Sequence, residues 1–302
     1  MPSPELEAII QLLRAEPLGG AVNIEQMRRN MEEAAALVTV PPDVRVEQVN
    51  AGGVPAEWIS VGDSEPLGTI LYLHGGGYCI CSANTHRDLV ARLARATGAR
   101  ALLIEYRLAP ENPFPAGLDD AVAAYRWLTA QGVSPSDIVI GGDSAGGGLT
   151  AATLLALRDA GDPLPVGAFC ISPWLDLAGE GESMKSKADE DPMVTGVMLR
   201  LMADAYAASN NLRDPLVSPV FADVAGLPPM LVQVGSAEVL LDDSTRFAPR
   251  AKAAGVEVTL EVWDEMIHVW HFFAETLPEG QQAIDRIGEW VRERVGAGVV
   301  AG

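Results

Sequence analysis

The chain has 302 residues, 48% hydrophobic and 21% charged, the balance of a globular protein rather than a disordered one. Its 21 basic and 41 acidic side chains give a formal charge of −20, which excludes the basic footprint that nucleic acid or an anionic membrane surface demands and disfavours anionic substrates. Three cysteines, Cys79, Cys81 and Cys170, supply neither a disulfide framework nor zinc-ligand spacing, and read as small buried hydrophobes.

The first residues carry Glu5 and Glu7 where a signal peptide needs basic charge, and no apolar run approaches the ~20 residues of a membrane span. A cytoplasmic location without stable membrane association is the default expectation. Residues 4–38 are helical in pattern, with Leu6, Ile9, Ile10 and Leu13 on one stripe, and Pro41-Pro42 closes the stretch. VRVEQV (44–49) and VPAEWISV (54–61) alternate around Gly52-Gly53 and predict a hairpin. TILYLH (69–74), ALLIEY (101–106), IVIGG (138–142), VGAFCIS (166–172) and MLVQVG (230–235) are short, nearly continuous apolar runs, as strands buried on both faces should be, and VEVTLEVW (256–263) closes the series. Helical stretches at 84–97, 117–131, 145–160, 243–254 and 279–295 alternate with them, predicting a mostly parallel eight-stranded sheet flanked by helices. Residues 175–215 break the alternation: they hold a helix near 198–208 but no strand, and an insertion of this length suggests a lid.

Two motifs carry chemistry. Gly142-Asp143-Ser144-Ala145-Gly146 sits between a buried strand and a helix. A serine on such a turn presents its hydroxyl at the top of the sheet, with the helix amino terminus aimed at the same point. The alternative, a phosphate-binding glycine turn, lacks its companion glycines and lysine. His74-Gly75-Gly76-Gly77 follows the strand TILYLH, and its glycines let several N–H groups point into one cavity, an oxyanion hole completed by the N–H of Ala145. His74 itself reads as structural.

HGGGY (74–78), EYRLAPENPFPA (105–116), GDSAGG (142–147), SPWLDL (172–177), LPPMLVQVG (227–235) and MIHVW (266–270) together resemble the hormone-sensitive-lipase-like family of α/β-hydrolase esterases, bacterial family IV. The resemblance implies an α/β-hydrolase fold over 1–302, with a core of roughly 46–174 and 216–296 under a helical cap of roughly 1–45 and 175–215. It also implies hydrolysis of carboxylic esters with no cofactor and no metal. A small-molecule ester is the expected partner, and a homodimer stays open.

A serine nucleophile needs a base and an acid to orient it, in the chain order Ser, Asp/Glu, His. His268 follows the last strand and occupies the family's histidine position, with His271 as its competitor. Glu238 occupies the family's acid position, with Val239 where the family has proline; Asp242 and Asp243 are the alternatives, though helix capping accounts for at least one. Asp143 is expected to fix the turn, Tyr78 to line the cavity or pack in the core, and Arg107, Glu111 and Asp119 to form a structural ion-pair network. The expected reaction is two-step acyl transfer on short- to medium-chain esters. An amidase, a binding protein that kept only the pocket, and an interfacial lipase are the rivals. The charged residues of 175–215 (Glu180, Glu182, Lys185, Lys187, Asp189, Glu190 and Asp191) speak against the lipase.

Overall fold

The protein's structure, a computed structural model, describes residues 2–15 and 23–295. Two helices, α1 (Pro4–Ala15) and α2 (Ile24–Ala35), stand where one helical stretch over 4–38 was expected. Residues 16–22 of that expectation lie outside the described residues, and α2 stops at Ala35, before the β-branched Val38, Thr39 and Val40. There follow β1 (Val44–Ala51), β2 (Val54–Val61), β3 (Thr69–Leu73), α3 (Ala83–Thr97), β4 (Arg100–Ile104), α4 (Ala116–Ala130), β5 (Ile138–Asp143), α5 (Ala145–Ala160) and β6 (Gly167–Ile171). The chain ends with α6 (Ser183–Ser186), α7 (Gly196–Ala207), β7 (Met230–Gly235), α8 (Leu241–Ala253), β8 (Val258–Trp263) and α9 (Pro278–Val295).

The eight strands form one sheet in the order β1-β2-β4-β3-β5-β6-β7-β8. Pairing is antiparallel from β1 to β2 and from β2 to β4, and parallel everywhere else. The continuous apolar runs are explained by the two-sided burial: along β3, Ile70 and Tyr72 join the core under α3 and α9, while Leu71 and Leu73 join the core under α4, α5 and α8. Each such side chain contributes roughly 1.5–3 kcal/mol.

Register decides where the functional loops fall. Leu73 pairs with Gly142, Asp143 with Ile171, and Gly235 with Trp263, so the central strands finish side by side. The loops that carry residues 74–77, Ser144, Ser172, Glu238 and His268 therefore leave the same edge, where ligand sites of α/β sheets lie. The insertion between β6 and β7 holds α6, α7 and a short turn, with no strand.

Arg28 ties α2 to the loop after β3: its guanidinium donates to the carbonyls of Cys79 and Ala109, both at 2.7 Å, and pairs with both oxygens of Glu111 at 2.8 Å. This corrects the expected network. Glu111 answers Arg28, and Arg107 pairs with Asp120 at 2.7 Å rather than with Asp119, because α4 turns Asp120 inward and Asp119 outward. No helix among the described residues is long and apolar enough to cross a membrane.

Candidate active site

At the end of β5 the backbone turns sharply into α5. Ser144 takes φ 52° and ψ −120°, a conformation that L-residues hold only when the surroundings enforce it. Two hydrogen bonds do so: its N–H donates to Ile171 O at 2.8 Å, and its carbonyl accepts from Trp174 N–H at 2.9 Å. Gly146 lets α5 start flush against β3, since a Cβ there would lie 1.9 Å from Leu73 O.

His268 Nε2 lies 2.9 Å from Ser144 Oγ, and His268 Nδ1 lies 2.8 Å from Glu238 Oε2. A carboxylate only accepts, so the Nδ1 proton points at Glu238, and Nε2 of the neutral ring accepts from the serine hydroxyl. The second oxygen of Glu238 accepts from Gly235 N–H at 2.6 Å and from Ser172 Oγ–H at 2.7 Å. Burial pushes the imidazolium of His268 down, but the hydrogen bond and charge of Glu238, with Asp191 and Asp143 beyond, outweigh it and leave its pKa raised.

The competitors lie elsewhere. His271 is buried in the 270–273 turn, with Nε2 2.8 Å from Gln233 Oε1, and burial pushes its pKa down to about 3. Asp243 accepts the amides of Leu175 (2.7 Å) and Asp176 (2.8 Å), and Asp242 accepts that of Ser183 (2.9 Å). Neither caps α8, contrary to expectation: the cap position is Leu240, without a side-chain bond, and the two carboxylates instead bind the inserted segment to the helix.

The loop after β3 is held from below. Asp143 Oδ1 accepts from Tyr72 Oη–H at 2.8 Å and from Gly75 N–H at 3.1 Å, with His86 Nε2 3.2 Å away. Burial alone would raise Asp143; His86 and the Tyr72 hydroxyl reverse this and leave its pKa lowered. Of the four expected oxyanion donors, Gly75 is therefore already committed. Among the described residues no acceptor pairs with the amides of Gly76 or Gly77, and Ala145 stands at the first position of α5, where an amide has no partner inside the helix. His74 stacks on Tyr106 (4.3 Å between centroids), and burial pushes its pKa down to about 3, so it is neutral. Tyr78 is a packed aromatic, stacked on Tyr206 of α7 at 3.8 Å.

A cavity of about 110 Å³ opens at Ser144. Gly76, Gly77, Ser144 and His268 form one side; Met27 and Met31 from α2, and Met193, Met198 and Met202 from the insertion, form the other. Cys81 also faces it, but burial pushes its thiol up to about 12 and so removes it as a nucleophile near neutrality. Cys79 and Cys170 are likewise buried and raised to about 12. Among the described residues no cluster of His, Cys, Asp or Glu is arranged to hold a metal ion.

Sequence reading missed three residues. Ser172 opens the SPWLDL motif, His86 was one histidine of four, and Asp191 counted only as a surface charge. Asp191 is in fact buried and accepts the amides of Met193, Val194 and Val239, fastening the insertion to the loop of Glu238.

The fold and this site define an α/β hydrolase, and the family description "alpha/beta hydrolase fold" matches residues 70–272. An acetyl-hydrolase of Streptomyces hygroscopicus is 44% identical over 99% of this chain and 100% of that protein, and an esterase of Acinetobacter venetianus is 36% identical over 87% of each. The structure of an esterase from the bacterial hormone-sensitive lipase family superposes with a TM-score of 0.95 at 49% identity, covering 98% of this chain and 100% of that one. EstE5 soaked with p-nitrophenyl butyrate superposes at 0.94 and 48%, with the same coverage. The chain belongs to the hormone-sensitive-lipase-like family of α/β hydrolases, and as a member it is a carboxylic-ester hydrolase.

Proposed function

We propose that the chain is a serine carboxylesterase acting on uncharged esters with short- to medium-length apolar acyl groups, through Ser144, His268 and Glu238. The observation that carries this reading is the unbroken run of hydrogen bonds, 2.9 Å from Ser144 to His268 and 2.8 Å from His268 to Glu238, beside uncommitted amides. His268 takes the proton of Ser144 as Oγ attacks the ester carbonyl. The carbonyl oxygen, now an alkoxide, is held by the N–H groups of Gly76, Gly77 and Ala145. When the alkoxide collapses, the bond to the leaving oxygen breaks and His268 protonates the departing alcohol. Water repeats the cycle on the acyl-enzyme: His268 removes its proton, and returns it to Ser144 as the acid leaves. Glu238 keeps the imidazole in the required tautomer and balances its transient charge.

The acyl range rests on the cavity, lined mostly by apolar side chains besides Ser144, His268, Asp143 and His86, and without a lysine or arginine that could bind an anion. The name of the Streptomyces relative and the butyrate ester given to EstE5 point the same way. In this reading the segments near 1–45 and 175–215 act as the cap, because α2 and the insertion supply the methionine side of the cavity.

The test is hydrolysis of p-nitrophenyl esters from acetate to palmitate by the wild type and by Ser144→Ala. The expected result is a maximum at short to medium chains and a loss of about 10⁵-fold or more in the variant. A variant that keeps its rate, or a wild type inert on every ester, overturns the reading.

A further inference from the structure

The SPWLDL segment has no part in the mechanism above, yet its first residue bonds the acid and the amide next to the base. Ser172 leaves the end of β6 with φ 45°, one of the few non-glycine residues held in the left-handed region. Its N–H donates to Gln233 O at 2.7 Å, which anchors it to β7. The fully buried hydroxyl makes two bonds of opposite kind. It donates to Glu238 Oε1 at 2.7 Å, and it accepts from Val269 N–H, the amide next to His268, at 3.1 Å. Val269 is itself strained, with φ 46° at a β-branched residue, a conformation that needs an outside hold.

The geometry points to Ser172 as a positioning residue of the triad: its hydroxyl fastens the loop that carries the acid to the loop that carries the base. Gly235 N–H also fixes Glu238, but it belongs to the acid's own loop and cannot tie that loop to the base. This rests on the serine-esterase reading and adds a fourth side chain to it, one that never touches the substrate.

Two consequences separate this from a merely structural role. Losing the hydroxyl leaves Val269 N–H without its acceptor and frees the backbone beside the base, so the chemical step slows while the cavity is untouched. It also removes one of two donors from Glu238 Oε1. The carboxylate then places more of its charge on the imidazolium, which holds its proton to higher pH. The other groups facing His268 are Asp191 from the insertion, Asp143 from the turn, His271 and the Ser144 hydroxyl, and none of them is altered.

The experiment measures kcat and KM for p-nitrophenyl butyrate across pH in Ser172→Ala and Ser172→Gly. Glycine accepts the positive φ without strain, so it stays informative if the alanine variant fails to fold. The expected result is a plateau kcat about tenfold to a hundredfold lower, KM within about threefold, and an acid limb moved to higher pH in both variants. A plateau kcat equal to wild type, a loss confined to KM, or an acid limb that stays or moves down overturns the proposal. The Nδ1 proton of His268, followed by proton NMR, gives a readout independent of turnover. Its titration moves up in both variants if Ser172 acts as described, even were the wild type inert on esters, and a titration that does not move defeats the assignment.

Discussion

The two sides of the cavity are built on opposite principles. The sheet side is backbone held in uncommon conformations. Cys81, Ser144 and Val269, three of the seven non-glycine residues with positive φ among those described, line it, and Tyr78 and Ser172 share that conformation on the loops beside it. Buried hydrogen bonds accepted by Asp143 and Glu238, one of them donated by Ser172, enforce that shape. The helical side is Met27, Met31, Met193, Met198 and Met202, unbranched side chains with three rotatable bonds and a polarisable sulfur that refit to their contacts. Transition-state stabilisation depends on donors that need no reorganisation, whereas acyl groups of different length are best met by a surface that yields. Substitutions on the two sides should therefore fail differently.

The largest effect belongs to Gly146→Ala. The added Cβ would meet Leu73 O at 1.9 Å and His74 O at 2.6 Å, both backbone atoms that cannot step aside. Overpacking of this kind costs about 3 kcal/mol or more. Thermal unfolding should show that loss, together with ester hydrolysis below detection; wild-type stability and turnover would mean that this wall is not rigid.

Next comes Glu238→Gln, which keeps the shape but presents a donor or the wrong tautomer to His268. It should lower kcat about 10³- to 10⁴-fold. Asp243→Asn is the control. Burial has raised the pKa of Asp243 well above the carboxylate range, and asparagine keeps an oxygen for the amides of Leu175 and Asp176. Its cost should appear in thermal stability, with kcat near wild type. If the two variants exchange these outcomes, the acid has been misassigned.

The pH profile is subtler. In the proposed mechanism the base must be neutral, and His268 is raised above the ordinary imidazole value, so kcat/KM should fall on the acid side with a midpoint above ~6.5. Asp143 is one of the anions that hold the proton on His268, so Asp143→Asn should move that limb to lower pH. Stability runs oppositely: a raised folded-state pKa contributes stability fully present below the unfolded value and lost as pH rises through the folded one. A limb unmoved in Asp143→Asn would confine that residue to holding Gly75.

This contrast also explains what could be read from the sequence. Strands β3 to β7 were legible because strands buried on both faces leave continuous apolar runs between turn signals, and β1 and β2, which keep exposed positions, from their alternation around Gly52-Gly53. Ser144 and the 74–77 loop were legible because each motif is contiguous and its context is local. Glu238 needed the resemblance, since Asp242 and Asp243 offer the same carboxylate a few positions on. Ser172 was not legible, because its partners lie 66 and 97 residues away and only strand register brings them together. Asp120 was passed over for Asp119 because one residue's difference on a helix decides which carboxylate turns inward. The methionine wall was hidden for the same reason as Ser172: its five members come from two segments far apart in sequence.

The smallest expected effects, and the most diagnostic of the contrast, lie on that wall. Met198 is half-buried on α7 and faces the cavity without touching the reacting groups. Met198→Leu nearly conserves volume and should change stability by less than about 1.5 kcal/mol. Met198→Ala opens the cavity at its helical side, and a methylene accommodated in an apolar pocket is worth about tenfold or more in kcat/KM. Its kcat/KM for p-nitrophenyl hexanoate relative to acetate should therefore rise about tenfold, while kcat on acetate stays within a few-fold of wild type. An equal loss on every ester would break the comparison, because it would mean that the methionine side also holds the oxyanion donors in place, through Met202 against Gly77, where a Cβ would lie 2.0 Å from the Met202 sulfur. A changed chain-length ratio at constant kcat would instead put selection on the soft side alone and leave the chemistry to the strand ends.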